Sequence, residues 1–256
     1  MIHNPNWRPD GTVPPVDVNP PELNPEIAEY FRERHRRLKV VQTTRTPSGQ
    51  TLDWIPIESQ VSNGMIASPP QPHAVDADDK TAQVRLDLDD QGVERGPVGT
   101  VPVPRKNLAA LHETATLAQY LSKRRPLDPS ATFFHATSAE TIACLGCETW
   151  LNVWQPYVEY SNDHSLMQLA LQNFDLPLLQ SLEAGWTCDQ SLNGDWNPHL
   201  FTYYTTNGYT NDGDNQGGYN SDVAGWVQVS GDIYPGILLG PTVTTTGGPQ
   251  LGLAIR

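Results

Sequence analysis

The first regular pattern along the chain places Ile27, Tyr30, Phe31, Arg34 and Leu38 on one face, which is helical spacing. Asn24 suits the N-cap of that helix, Pro25 its first position, and Glu26 and Glu29 its positive end. The far end is basic, with Arg32, Arg34, Arg36, Arg37 and Lys39. Such a run is either a solvated helix end that complements the dipole or a docking surface for an acidic segment. Residues 1–23, ahead of it, are proline-rich and aperiodic, and read as an extended or disordered lead. Behind it, Lys39–Arg45 and Thr51–Ile57 read as strands joined in a hairpin across Thr46-Pro47-Ser48-Gly49. Residues 62–97 are polar and rich in Pro and Asp, the pattern of a flexible loop. A second helix is predicted near Asn107–Leu121, where Leu108, Leu111, Ala115 and Ala118 recur at helical spacing and Leu117 and Leu121 widen the face. Lys123-Arg124-Arg125-Pro126 reads as a linker and marks a domain boundary.

From Ala131 onward the period shortens to strands with turn signals between them. Candidate strands are Thr132–Ala136, Glu148–Trp154, Ser165–Leu171, Leu179–Cys188, His199–Thr205, Gly225–Val229, Gly236–Leu239 and Leu251–Arg256. Asn193-Gly194, Asn207-Gly208 and Gly217-Gly218 supply turn chemistry. The fold class expected is mainly β, an antiparallel sandwich or barrel at residues 126–256. A small α+β region at 24–125 precedes it. The last strand reaches Arg256 without a closing turn, as though the β domain continued further.

Composition agrees with this reading: 23 prolines and 20 glycines punctuate strands and break helices. Charge adds a sharper fact. Residues 1–130 hold 15 Lys/Arg against 17 Asp/Glu, whereas residues 131–256 hold one basic residue against 12 acidic ones. Nucleic acid and anionic membranes are therefore poor partners. Such an acidic segment serves plain solubility or adaptation to acid, where carboxylates protonate. No apolar run approaches the roughly 18 residues a membrane span needs, and the polar start lacks the core of a signal peptide. The cysteines are Cys144, Cys147 and Cys188. A lone CxxC is weak for zinc, and the residues after it read as a strand rather than the helix of a redox motif. Two ordinary cysteines in a turn, one of them bonded to Cys188, is the expectation.

There is no GxSxG elbow, HExxH, P-loop or Rossmann glycine pattern, and the seven histidines are scattered. No metal and no cofactor is called for, and acid–base chemistry falls to carboxylates. Several ordered motifs are specific: Ser165-Leu166-Met167-Gln168, Leu182-Glu183-Ala184-Gly185-Trp186, Gly194-Asp195, Phe201-Thr202-Tyr203-Tyr204-Thr205-Thr206-Asn207-Gly208-Tyr209, Gly218-Tyr219-Asn220 and Gly225-Trp226-Val227-Gln228. In order and spacing this string resembles the neprosin family of glutamic endopeptidases. Leu52-Asp53-Trp54-Ile55-Pro56-Ile57 and Gly99-Thr100-Val101-Pro102-Val103-Pro104-Arg105 are similar to that family's activation-peptide segments, so the resemblance spans roughly residues 37–256.

The resemblance implies a secreted zymogen with a propeptide and an antiparallel β-sandwich catalytic domain. Two glutamates would cleave peptide bonds in acid, preferentially after proline, so the partners implied are polypeptide substrates, proline-rich ones among them, and the chain's own propeptide. Glu183 aligns with the first catalytic glutamate. The second belongs to a Glu-Trp-Gly-Gly-type segment expected beyond Arg256. Of two close carboxyls one keeps its proton as acid while the other activates water. Gln168 is the candidate donor to the oxyanion. Trp186, Tyr203 and Tyr204 are candidates to line the substrate cleft, with core packing an equal alternative for two of the three. Where the family has paired cysteines this chain has Gly218 with Val223 and Trp54 with Gly96, as though two disulfides had been lost together. Tyr204 and Asn207 replace the family's usual Trp and Asp. The charge split suggests that helix 26–39 docks on the acidic half and releases in acid, with cleavage near Lys123–Leu127. Two other functions fit the composition: a non-catalytic β-sandwich binding module, and a two-carboxylate glycosidase.

Overall fold

The computed structural model describes residues 24–62, 66, 82–89, 92–108, 116–123, 133–160 and 163–256. Among the described residues three α-helices, α1 (Pro25–Arg37), α2 (Leu117–Leu121) and α3 (Gln190–Asn193), and a 3-10 turn at Ile57–Gln60 accompany ten strands. These are β1 (Gln42–Arg45), β2 (Thr51–Pro56), β3 (Ala82–Gln83), β4 (Thr100–Pro104), β5 (Thr149–Asn152), β6 (Ser165–Asn173), β7 (Gln180–Cys188), β8 (His199–Thr205), β9 (Gly217–Tyr219) and β10 (Leu251–Ile255). The protein is mainly β, with antiparallel sheets and few short helices, as its turn-rich sequence requires.

The strands form three sheets, ordered β1-β2-β4, β3-β10-β5 and β6-β7-β8-β9. Leu52 and Trp54 of β2, Leu151 of β5, and Trp186 and Leu200 of β7 and β8 share one buried cluster with Tyr234, Ile237 and Leu239, which locks the sheets together. A second cluster sits on the other face of the four-stranded sheet: Ile27 and Phe31 of α1, Tyr120 and Leu121 of α2, and Phe201, Tyr203, Tyr219 and Val223.

The first helix forms where its pattern places it. Asn24 Oδ1 accepts the Glu26 amide at 2.9 Å, and Ile27, Ala28 and Phe31 are buried. Its basic end divides between the two roles open to such a run. Arg32 and Arg36 pair with Glu29 and Glu33 on the same helix, while Arg34 reaches Asp214 at 2.7 Å and the Ser221 carbonyl at 3.0 Å. Tyr30 adds a hydroxyl bond to the Asp222 carbonyl at 2.7 Å, so α1 is docked on the acidic half.

Several sequence expectations change. Of the second helix expected over Asn107–Leu121, residues 109–115 lie outside the described residues, and the described part that is helical is Leu117–Leu121, capped by Thr116 accepting from the Gln119 amide. Leu111 and Ala115 lie outside the described residues, as do the lead 1–23 and Arg124–Pro126 of the linker. Of the expected strand Thr132–Ala136, Thr132 lies outside the described residues and Phe133–Ala136 is exposed and not in a strand. Gly225–Val229 is irregular: Gly225 sits at φ +113°, and Gln228 bonds Gln60 rather than a ladder. Gly236–Leu239 makes only isolated bridges to His199 and Leu86. In the stretch read as a flexible loop, residues 82–89 contribute the short, exposed strand β3 and, after it, bury Val84 and Leu88 in the core. Gly217-Gly218, read as turn chemistry, forms β9.

The cysteines are free, and Cys188 is buried with its thiol pushed up to about 12 by burial, so the expected bond to it is absent. The two positions matched to lost disulfides are nevertheless in contact. A Cβ on Gly96 would lie 2.3 Å from the Trp54 indole, and one on Gly218 would lie 2.7 Å from Val223. In each pair a large side chain now fills the space beside a glycine.

Candidate active site

Strands β6, β7 and β8 run antiparallel in a register that sets Ala170 opposite Glu183 opposite Tyr203, and Gln168 opposite Gly185 opposite Phe201. Side chains alternate faces along a strand, so Gln168, Glu183, Phe201 and Tyr203 share the face turned toward α1 and α2. Trp186 and Tyr204 lie on the other face. Trp186 is buried in the core and donates its indole N–H to the Asn152 carbonyl at 2.9 Å. Tyr204 packs against Gly225 and donates to the Ala224 carbonyl at 2.5 Å. The structure thus brings Gln168 and Tyr203 to Glu183, while Trp186 and Tyr204 pack on the other face of the sheet.

Gly185 makes this juxtaposition possible. A Cβ there would lie 2.0 Å from the Met167 carbonyl oxygen and 2.7 Å from Gln168 Cα, so only glycine lets β6 approach β7 this closely.

Glu183 is 1% exposed and fully engaged. Its Oε1 accepts from Ser181 Oγ at 2.7 Å and from the Tyr209 hydroxyl at 2.7 Å, and its Oε2 takes a close contact from the Lys123 ammonium. Burial alone would raise this carboxyl. The Lys123 charge and hydrogen bond, with those of Tyr209 and Ser181, outweigh it and hold the group below the usual glutamate range. The same ammonium donates to Gln168 Oε1 at 2.6 Å and lies 5.5 Å and 5.2 Å from the Phe201 and Tyr203 ring centroids. Burial pushes Lys123 below the ordinary lysine range, and Glu183 restores only part of the loss. Gln168 turns its amide oxygen, not its N–H, toward the site while Lys123 is there. An oxyanion donor would need the opposite face of the amide.

Sequence reasoning misses four participants. Lys123 reads as linker, and its charge run carries no sign that one member turns inward. Tyr209 stands inside a specific motif without a role of its own. It adopts φ +62°, a left-handed conformation that costs a residue other than glycine roughly 1–2 kcal/mol, and its ring stacks on Tyr203 at 5.8 Å. The turn that holds it is built by Thr205 Oγ1, which accepts the Tyr209 amide at 3.2 Å. Ser181, two residues before Glu183, shares its face by strand alternation alone. Asp212 accepts the Tyr203 hydroxyl at 2.8 Å and faces Ser122 and the Lys123 backbone. Burial raises its carboxyl above the usual aspartate range, and the nearby Glu183 charge adds to the rise.

The motifs that build this face lie in the segment, residues 161–256, that matches the family described as Neprosin. This segment is a neprosin-family domain. Neprosin membership implies a prolyl endopeptidase acting on peptide substrates, and neprosin proteins are generally secreted. Among the described residues no helix is long and apolar enough to cross a membrane.

Proposed function

We propose that the chain is the latent form of an acid-active glutamic endopeptidase that cleaves after proline, with Glu183 as one of its two catalytic carboxyls. The observation that carries this reading is the Lys123 ammonium seated on Glu183 and Gln168. A carboxylate that must activate water cannot do so while a buried cation occupies its free oxygen. Lys123 follows α2, so the segment that blocks the site belongs to residues 24–125, the region with the activation-peptide motifs, and residues 126–256 form the catalytic part.

Chemistry would begin when acid or cleavage removes Lys123. Glu183 Oε2 then faces a water, Tyr209 and Ser181 keep Oε1 fixed, and Gln168 is released to turn its N–H toward a developing oxyanion. The second carboxyl, protonated, would donate to the leaving amine. The family's Glu-Trp-Gly-Gly-type segment that supplies it does not occur within residues 1–256. The test is hydrolysis of a quenched proline-containing peptide by the protein as encoded, followed from neutral to acid pH, beside its Glu183→Gln variant. Acid-induced cleavage lost in the variant supports the reading. Cleavage that survives Glu183→Gln overturns it.

A further inference from the structure

We infer that the Glu183 site contains a seat for a primary alkylammonium ion, and that alkylamines and peptide lysine side chains are competitive ligands of the site once Lys123 has left it. The inference rests on the latent-peptidase reading only in taking Lys123 as a departing occupant. The seat itself is defined by what surrounds that ammonium.

An –NH3+ group has three donors and no acceptor. Two are met by oxygens: Glu183 Oε2 and, at 2.6 Å, Gln168 Oε1. The third side is closed by the π faces of Phe201 and Tyr203, whose centroids lie 5.5 Å and 5.2 Å from Nζ. Rings at that range attract a cation, and desolvation strengthens the attraction. These four groups come from three adjacent strands and belong to the sheet, so they do not depend on the segment that carries Lys123. Gly185, opposite both Gln168 and Phe201, adds no side chain to fill the seat. With Lys123 in place Glu183 and Tyr203 are both 1% exposed, so an ammonium that takes its place beneath the retained segment, as in a Lys123→Ala variant, is desolvated as Lys123 is.

The geometry also sets selectivity. A linear alkyl stem fits, since the Lys123 methylenes fill that path and its side chain is only 16% exposed. A quaternary ammonium has no N–H for the two oxygens, and a neutral alcohol has no charge for the carboxylate and rings. In the released peptidase an alkylammonium would take the position of the water that Glu183 activates, raising KM without lowering kcat.

The experiment uses the full chain with Lys123→Ala, which deletes a propylammonium-sized piece. n-Propylammonium, tetramethylammonium and 1-propanol are titrated against the thermal unfolding midpoint at neutral pH. A saturable rise with n-propylammonium alone, lost in Lys123→Ala/Glu183→Gln, is expected. Equal responses to all three, or a rise that survives Glu183→Gln, overturn the seat. Should Lys123→Ala not fold unaided, the same additives are compared for yield of refolded protein. Recovery confined to n-propylammonium supports the seat, and equal yields overturn it. Failure of ligand binding with Glu183-dependent acid proteolysis intact removes the seat and leaves the peptidase. Binding that persists without such proteolysis does the reverse.

Discussion

Tyr209 reaches back from the loop after β8 to place its hydroxyl 2.7 Å from Oε1 of Glu183, with its ring stacked on Tyr203. Ser181 approaches the same oxygen, also at 2.7 Å. Together they fix one carboxylate oxygen and leave the other to the Lys123 side of the site. The left-handed backbone at Tyr209 is held by the Thr205 hydroxyl, so strain in the loop is tied to the aim of a single phenol.

Removing that phenol separates position from packing. Tyr209→Phe keeps the ring and deletes the donor. The expected cost is about 1 kcal/mol in stability, the usual worth of one hydrogen bond. Glu183 loses one of the contacts that hold it down, so its titration moves up. Proteolysis should fall about tenfold, with the acid limb of its pH profile displaced toward neutral. A pH–rate profile unchanged beside wild type would remove Tyr209 from the site.

Lys123→Met deletes the charge and keeps most of the stem. The buried Glu183 carboxylate is left uncompensated, a change that costs about 3–5 kcal/mol for comparable pairs. The sign with pH is fixed by the direction of the shift. A depressed carboxyl contributes stability above its unfolded value, and that stability is lost as pH falls through the folded one. In the variant, burial dominates and raises Glu183, so the deficit is largest at neutral pH and closes in acid as the carboxyl protonates. Denaturant unfolding of both proteins at neutral and acid pH checks this. A deficit independent of pH would contradict it.

How far the site can be read from the sequence depends on the range of each interaction. Glu183, Gln168 and Tyr203 stand in short motifs whose strand register follows from alternation, so they appear together. Ser181 lies on the same face for the same reason, yet nothing marks it as a partner. Lys123 meets Glu183 across 60 residues of chain, and no local period records such a contact. Trp186 shows the converse: its place beside Glu183 in the sequence puts it on the opposite face of β7. Strands that pair along their length, β6 to β8, are legible. Gly225–Val229 and Gly236–Leu239 have the composition of strands, yet the first forms no ladder and the second only isolated bridges to Leu86 and His199.

The contact between Gly96 and Trp54 gives a test of the N-terminal region. Trp54 is 2% exposed and bonds Thr44 Oγ1 at 2.8 Å, so its indole has little room to move. Gly96→Ala would place a methyl 2.3 Å from it. The expected loss is about 1–3 kcal/mol, as for overpacking elsewhere, read as a lower midpoint in urea. Gly99→Ala meets nothing within 4 Å, yet sits at φ +84°, so its smaller penalty of about 1 kcal/mol comes from the backbone alone. Equal losses for both would place the indole elsewhere.

Asp212 offers the opposite pH signature to Glu183. Its carboxyl is raised by burial, so in the folded protein the charged form is disfavoured relative to the unfolded chain. A raised carboxyl leaves the protein most stable below its unfolded value and lowers stability as pH rises through the folded one. Asp212→Asn removes that charge and keeps an oxygen for the Tyr203 hydroxyl. The variant should therefore be more stable than wild type at neutral pH, by less than about 1 kcal/mol given the partial exposure of the group. The advantage should vanish in acid, where wild-type Asp212 is itself neutral. The hydrogen bonds from Ser122 and the Lys123 backbone act against this result, since they favour the carboxylate. Thermal midpoints of the two proteins across this range decide which influence is larger. A variant less stable at neutral pH would make Asp212 a clamp on the Lys123 segment, not a strained charge beside Glu183.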